Sequence, residues 1–222
     1  NGITIITANR SRNTEMAQAK RKLQEVETQK HWTVEEYLAY ELTSPARHEY
    51  VDGQLFAMAG ESKNHNRAGS DILSKLILGL EGSDCEAFFE SVKVKVSPTR
   101  YYYPDIVVSC SEPEEDEDAY VIEKAVLIVE VLSPSTARND RVEKMNAYQR
   151  LPGLREYVIV SQESVRVEVY SHEQADEVWQ CEVFDDLESE VTFQSVGLSL
   201  NLADIYRRVR FVAENEEEEE QN

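Results

Sequence analysis

Residues 125–132 read AVLIVEVL, seven apolar residues interrupted by one carboxylate, Glu130. A nearly continuous apolar run of this length suits a central strand covered on both faces. Ser133-Pro134-Ser135 ends it. Residues 139–151 suit a helix that Pro152-Gly153 closes, and residues 155–161 read as the next strand. Such a strand–helix–strand unit implies parallel strands joined by a right-handed crossover. The rest of the chain also mixes the two element types. The expected class is therefore α/β (α+β), with a central mixed β-sheet flanked by helices.

Glu130 is the most informative residue in the run. An unpaired carboxylate inside such a strand costs on the order of several kcal/mol. It must be paired, protonated, metal-bound or at an open strand end, and a buried ion pair is the ordinary reading. Upstream, Pro104-Asp105 opens another apolar run, Ile106-Val107-Val108. Proline is tolerated at the first position of a strand, which puts Asp105 at a strand mouth. Two carboxylates meeting there would repel. A divalent cation removes that penalty, and oxygen ligands with open water positions suit Mg²⁺. A metal so held activates water and stabilises charge on a phosphate. Downstream, Asp140, Lys144 and Tyr148 are spaced i, i+4, i+8 and share one helix face. Lys144 either forms an exposed ion pair or reaches the carboxylates to hold a nucleophile or a developing oxyanion.

Further out, TVEE at 33–36 reads as a capping box opening a helix that stops before Ser44-Pro45. Asp52-Gly53 joins two short strands between residues 47 and 58 as a hairpin turn. Residues 66–80 have helical apolar spacing. Residues 86–96 and 101–110 read as the two arms of one β-hairpin. Strands follow at 165–171, 178–184 and 191–195, and a short helix at 202–209. Tyr101, Tyr102 and Tyr103 are expected to pack rather than to stack on bases. Lys93 and Lys95 are either solvent-facing edge charges or phosphate contacts. Ser133 and Ser135 lack a partnered histidine at a recognisable spacing, which argues against a serine hydrolase. No phosphate-binding glycine loop is present.

The chain has 222 residues and a formal net charge of −20. Six acids fall within residues 112–118 and six within 214–220, so the remainder carries only −8. Such a surface excludes generic coating of nucleic acid. Three cysteines, Cys85, Cys110 and Cys181, fall far short of a disulfide framework and make no zinc spacing, which fits a reducing compartment. No apolar run has membrane-spanning length, and the start NGITIITANR is a poor secretory signal, so a cytoplasmic protein without a membrane role is expected. Residues 1–30 read as a helical or flexible extension, 31–209 as the globular domain, and 210–222 as a disordered acidic tail.

One ordered set of residues carries a resemblance. Its first half is HEYVDGQ at 48–54, His65, and YPDIVV at 103–108. Its second half is LIVEVLSPST at 127–136, Asp140, Lys144, Tyr148, Gly153 and Glu156-Tyr157. Over residues 32–208 the chain resembles the Uma-two family of restriction-endonuclease-like proteins, abundant in cyanobacteria and part of the PD-(D/E)xK nuclease superfamily. The resemblance implies a restriction-endonuclease-like core and an endonuclease that hydrolyses phosphodiester bonds in DNA with Mg²⁺, for which Mn²⁺ substitutes. It implies Asp105, Glu130 and the upstream acid Glu49 as metal ligands and catalytic residues, with His65, Asp140 and Tyr148 around them. The superfamily lysine would stand two residues after Glu130, where this chain has Leu132, so Lys144 is the stand-in. A homodimer would supply a DNA groove between subunits. The alternative, which the net charge favours, is a catalytically weak or inactive nuclease-fold module acting in nucleic-acid or protein interaction.

Overall fold

The computed structural model describes residues 30–110, 120–133, 137–172 and 178–211, in two compact units that divide after Met58. The expected N-terminal extension, the acidic loop 111–118 and the acidic tail lie almost entirely outside the described residues. Among the described residues no helix is long and apolar enough to cross a membrane.

In the first unit, α1 (Val34–Glu41) opens with the capping box the sequence predicts: the Thr33 hydroxyl takes the Glu36 amide while the Glu36 carboxylate takes the Thr33 amide. Strands β1 (His48–Val51) and β2 (Gln54–Ala57) pair antiparallel across Asp52-Gly53. Both turn residues have positive φ, 48° and 92°, as a tight hairpin turn requires. A Cβ at position 53 would also lie 2.0 Å from the His31 ring, so only glycine fits. Tyr37 is fully buried, donates to the His48 carbonyl at 2.9 Å and stacks on Tyr50. Together these contacts bind α1 to the hairpin.

The second unit is built on a six-stranded sheet. Its order is β11 (Gln180–Phe184), β10 (Val167–Ser171), β9 (Glu156–Ser161), β8 (Ala125–Leu132), β6 (Ile106–Ser109) and β3 (Glu86–Phe89). Strands β8 and β9 are parallel and every other neighbouring pair is antiparallel, which makes the sheet mixed. The fold class is thus the one read from AVLIVEVL. Alternation along β8 decides its two faces. Val129 and Val131 pack with Ala68, Ile72 and Leu76 of α2 (Lys63–Gly79), a helix capped by the Ser62 side chain. Glu130 points to the opposite face. There it meets the helical connection to β9, made of α3 (Ala137–Asn139), a π-helical turn (Asp140–Lys144) and α4 (Met145–Tyr148).

The expected hairpin of 86–96 with 101–110 forms, but it is split between two sheets. Each arm breaks in the middle, and its two halves lie in different sheets. The inner halves, β4 (Lys93–Ser97) and β5 (Arg100–Tyr102), pair with each other, and β4 also pairs in parallel with β7 (Val121–Ile122). The outer halves are β3 and β6 of the six-stranded sheet. Strand β4 is therefore flanked on both sides, and Lys93 is no edge charge: it is 5% exposed and donates to the Tyr103 hydroxyl at 3.2 Å. Lys95 pairs instead with the exposed Glu123. The three tyrosines at 101–103 are buried, as expected.

The same pairing corrects the cysteine reading. Glu86 stands opposite Ser109, so one step beyond the ladder Cys85 meets Cys110, and the two form a disulfide. Cys181 is free and exposed. A final hairpin, β12 (Glu190–Phe193) with β13 (Leu198–Asn201), leads into α5 (Leu202–Ile205), shorter than the helix expected there. Its turn is tied to β9 by Glu156. That carboxylate is 1% exposed and accepts the amides of Gln194 and Ser195 at 2.9 and 2.8 Å and the Ser195 hydroxyl.

Removing this carboxylate leaves two amides and a hydroxyl without their acceptor. Glu156→Ala is expected to lose about 2–3 kcal/mol of stability in urea unfolding. A loss below about 0.5 kcal/mol, within the range of an ordinary surface change, would contradict the clamp.

Candidate active site

The break in the two arms creates the site. At Pro104 the chain loses a backbone donor and turns out of the sheet. The β6–β8 register ends at Ile106 opposite Val129, so the Val131 amide would next look for residue 104. The Asp105 carboxylate takes that place, and its Oδ2 accepts the Val131 N–H at 2.6 Å. On the other arm Glu90 has a φ of 51°, a left-handed conformation uncommon outside glycine, and its amide donates to the Asp105 carbonyl at 2.9 Å. The two turning points are thereby bonded to each other.

His65 approaches from the first turn of α2. It is 3% exposed, its Nε2 lies 3.1 Å from Asp105 Oδ2 and 3.8 Å from the Glu61 carboxylate, and its Nδ1 has no partner among the described residues. Donor atoms of His65, Glu90 and Asp105 all lie within 4.8 Å of one another, close enough for a single cation to touch all three. Burial alone would lower the imidazole below its usual 6.5. The hydrogen bond His65 donates to Asp105 and the charges of Asp105, Glu61 and Glu90 outweigh burial, and the net shift is upward. Burial raises the Glu61 carboxyl, and Asp105, Asp140 and Glu90 add to the rise against the opposing effect of His65.

Glu130 occupies the neighbouring strand. Lys144 Nζ lies 3.0 Å from its Oε1 and 3.4 Å from Asp140 Oδ1, and the Tyr148 hydroxyl donates to the same Oε1 at 3.1 Å. Glu130, Asp140 and Lys144 are 3%, 2% and 6% exposed. The i, i+4, i+8 face expected of Asp140, Lys144 and Tyr148 is realised across a π-helical turn, a local widening that recurs at functional sites. Behind it the Tyr157 hydroxyl donates to the Asp140 carbonyl, and burial pushes the Tyr157 phenol well above its ordinary range.

Of the residues singled out from the sequence, the second unit thus brings Asp105 to His65, and Glu130 to Lys144, Asp140 and Tyr148. Glu49 is half-buried on β1 of the first unit. Two residues were not anticipated. Glu90 follows the apolar EAFF of β3, where the strand alternation fails, and that failure was its only signal. Glu61 precedes the α2 cap, one helical turn before His65.

A family model described as "Putative restriction endonuclease", the Uma2 family, matches residues 34–203. The chain belongs to the Uma2 family. Two uncharacterised proteins of Synechocystis sp. (strain ATCC 27184 / PCC 6803 / Kazusa) are similar to it. One is 37% identical over 80% of this chain and 92% of its own length, the other 33% identical over 65% and 83%. A solved structure described as "a putative nuclease belonging to DUF820", from Anabaena variabilis ATCC 29413, superposes with a TM-score of 0.64 at 20% identity. That match covers 79% of this chain and 97% of the other, and it shows that this Uma2 chain shares its fold.

A histidine with a raised folded-state value adds stability that is complete below about pH 6.5 and is lost as pH rises through the folded value. In chelator, the melting temperature is expected to fall between about pH 6 and about pH 8, and His65→Gln should flatten that fall. Parallel curves for the two proteins would contradict the His65–Asp105 pairing.

Proposed function

We propose that this protein is a metal-dependent endonuclease that hydrolyses phosphodiester bonds in DNA. One observation carries the reading. An ion-sized cluster of His65, Glu90 and Asp105 sits at the mouth of β6, bonded through the Val131 amide to the strand that presents Glu130, to which Lys144 of the following helical connection is paired.

The residues present fit a divalent cation. Glu61, Glu90, Asp105, Glu130 and Asp140 gather around one lysine and one histidine, an arrangement a cation relieves. Carboxylate oxygens suit Mg²⁺, and the imidazole in the set admits Mn²⁺ as well. Asp105, Glu90 and His65 would hold the ion, and Glu49 and Glu130 are the further acids assigned to it by the family resemblance. When bound, the ion would activate water and offset charge on the scissile phosphate.

The chain's own groups prepare the remainder. Asp105 is fixed by the Val131 amide and so presents one oxygen in a set direction. Glu130 orients the Lys144 ammonium, and Tyr148 holds Glu130. Lys144 then serves as a positioned positive charge for the developing phosphate oxyanion. His65 would offer the ion a neutral ring nitrogen. A second reading, a module of nuclease fold that does not cleave, is favoured by the burial of the Glu130–Lys144 pair, which satisfies both charges without a substrate.

Nicking of supercoiled plasmid in Mg²⁺ or Mn²⁺ separates the two readings. Wild type is expected to nick and chelator to stop it. Asp105→Asn should abolish nicking with an unchanged far-UV spectrum, Lys144→Ala should slow it about 10²-fold or more, and Glu49→Gln should weaken it. Absence of nicking in either metal, or full activity of both Asp105→Asn and Lys144→Ala, would overturn the proposal.

A further inference from the structure

Positive charge also gathers in the second unit. Arg67 of α2 and Arg207, Arg208 and Arg210, which follow α5, line a cavity of about 370 Å³. The surface is built rather than casual. Asp71, 3% exposed, accepts Arg208 Nε on both oxygens at 3.0 Å and Arg207 Nη2 at 3.2 Å. Asn64 donates to the Arg210 carbonyl at 2.7 Å and accepts the Arg210 amide and Arg67 Nη1 at 3.2 and 3.0 Å. One buried carboxylate and one amide thus strap the RRVR segment at 207–210 along α2, so that four arginines line one concavity. The Arg207 and Arg208 side chains remain 64% and 50% exposed, and Asp71 offsets only one of the four charges.

In a chain of net charge −20 such a cluster needs an explanation. Guanidinium forks bind phosphate oxygens in two-pronged fashion and are weakly hydrated, which suits them to a polyphosphate backbone. The same helix presents His65 to the candidate metal site from its first turn and Arg67 to this cavity two residues later.

We propose that Arg67, Arg207, Arg208 and Arg210 form a docking site for the phosphate backbone of nucleic acid. This rests on the endonuclease reading for the choice of polyanion. It removes the objection that the chain is too acidic to hold DNA, because affinity comes from a local patch while the rest of the surface repels. The cradle reads no bases and positions the strand only.

The test is fluorescence anisotropy of a labelled 20-bp duplex with the full chain in chelator, so that no cleavage occurs, over a salt titration. Arg67→Ala/Arg210→Ala leaves the two Asp71 partners in place. It is expected to weaken binding at least about tenfold near 0.1 M salt and to reduce the log–log salt slope by about 2. Arg67→Lys/Arg210→Lys keeps the charge and should retain the slope within about 0.5. Unchanged affinity and slope in the alanine double variant would overturn the proposal, as would polyglutamate of equal charge binding wild type as tightly as the duplex. The two proposals fail separately. Arginine-dependent binding without nicking refutes the endonuclease reading alone, and nicking with arginine-independent binding refutes the docking site alone.

Discussion

The bond from the Val131 amide to the Asp105 carboxylate governs the layout of the second unit. Pro104 ends the β6–β8 ladder, and a central strand cannot leave an amide unpaired there without a cost of about 1–3 kcal/mol. Asp105 satisfies that amide with a side chain instead of a carbonyl. The chain is then free to swing from β6 toward β5 while its carboxylate stays at the end of the sheet. Glu90 makes the matching turn on the other arm, and its bond to the Asp105 carbonyl ties the two bends together. A structural need of the sheet therefore places two carboxylates side by side, and α2 adds His65 to them.

The second cluster obeys a different constraint. Glu130 sits among fully covered strand residues, where an isolated charge is costly. Lys144 and Tyr148 reach it because one helical connection runs from β8 to β9 and widens at Asp140–Lys144. The pair satisfies its own charges and needs no ligand for stability. What distinguishes the region is the additional acids, Asp140 beside Lys144 and the His65–Glu90–Asp105 group on the adjoining strand end.

Much of this was legible in the chain. AVLIVEVL marked the central strand and its single charge, Pro-Asp marked the strand mouth, and the Asp140–Lys144–Tyr148 spacing marked the helix face that meets Glu130. The bends at Glu90 and Asp105 were not legible as bends. Val92, Val94 and Val96 alternate with Lys93 and Lys95, which makes 86–96 read as one arm, although the pattern fails at Phe88-Phe89 and 101–110 does not alternate. Missing the bend also hid Glu90 from the site, and the pairing of β4 with β7 hid the interior position of Lys93. The arginine cradle was hidden for a simpler reason: Arg67 and the 207–210 segment are about 140 residues apart, and only the packing of the chain end along α2 joins them.

The central claim is that the Asp105 bend forms a cation site. Anomalous diffraction from crystals equilibrated with Mn²⁺ tests it most directly. The account predicts one strong peak bonded to Asp105, Glu90 and His65, and none in Asp105→Asn crystals grown alike. A well-ordered Asp105 with no peak at saturating Mn²⁺, or with the peak bonded elsewhere, would contradict it.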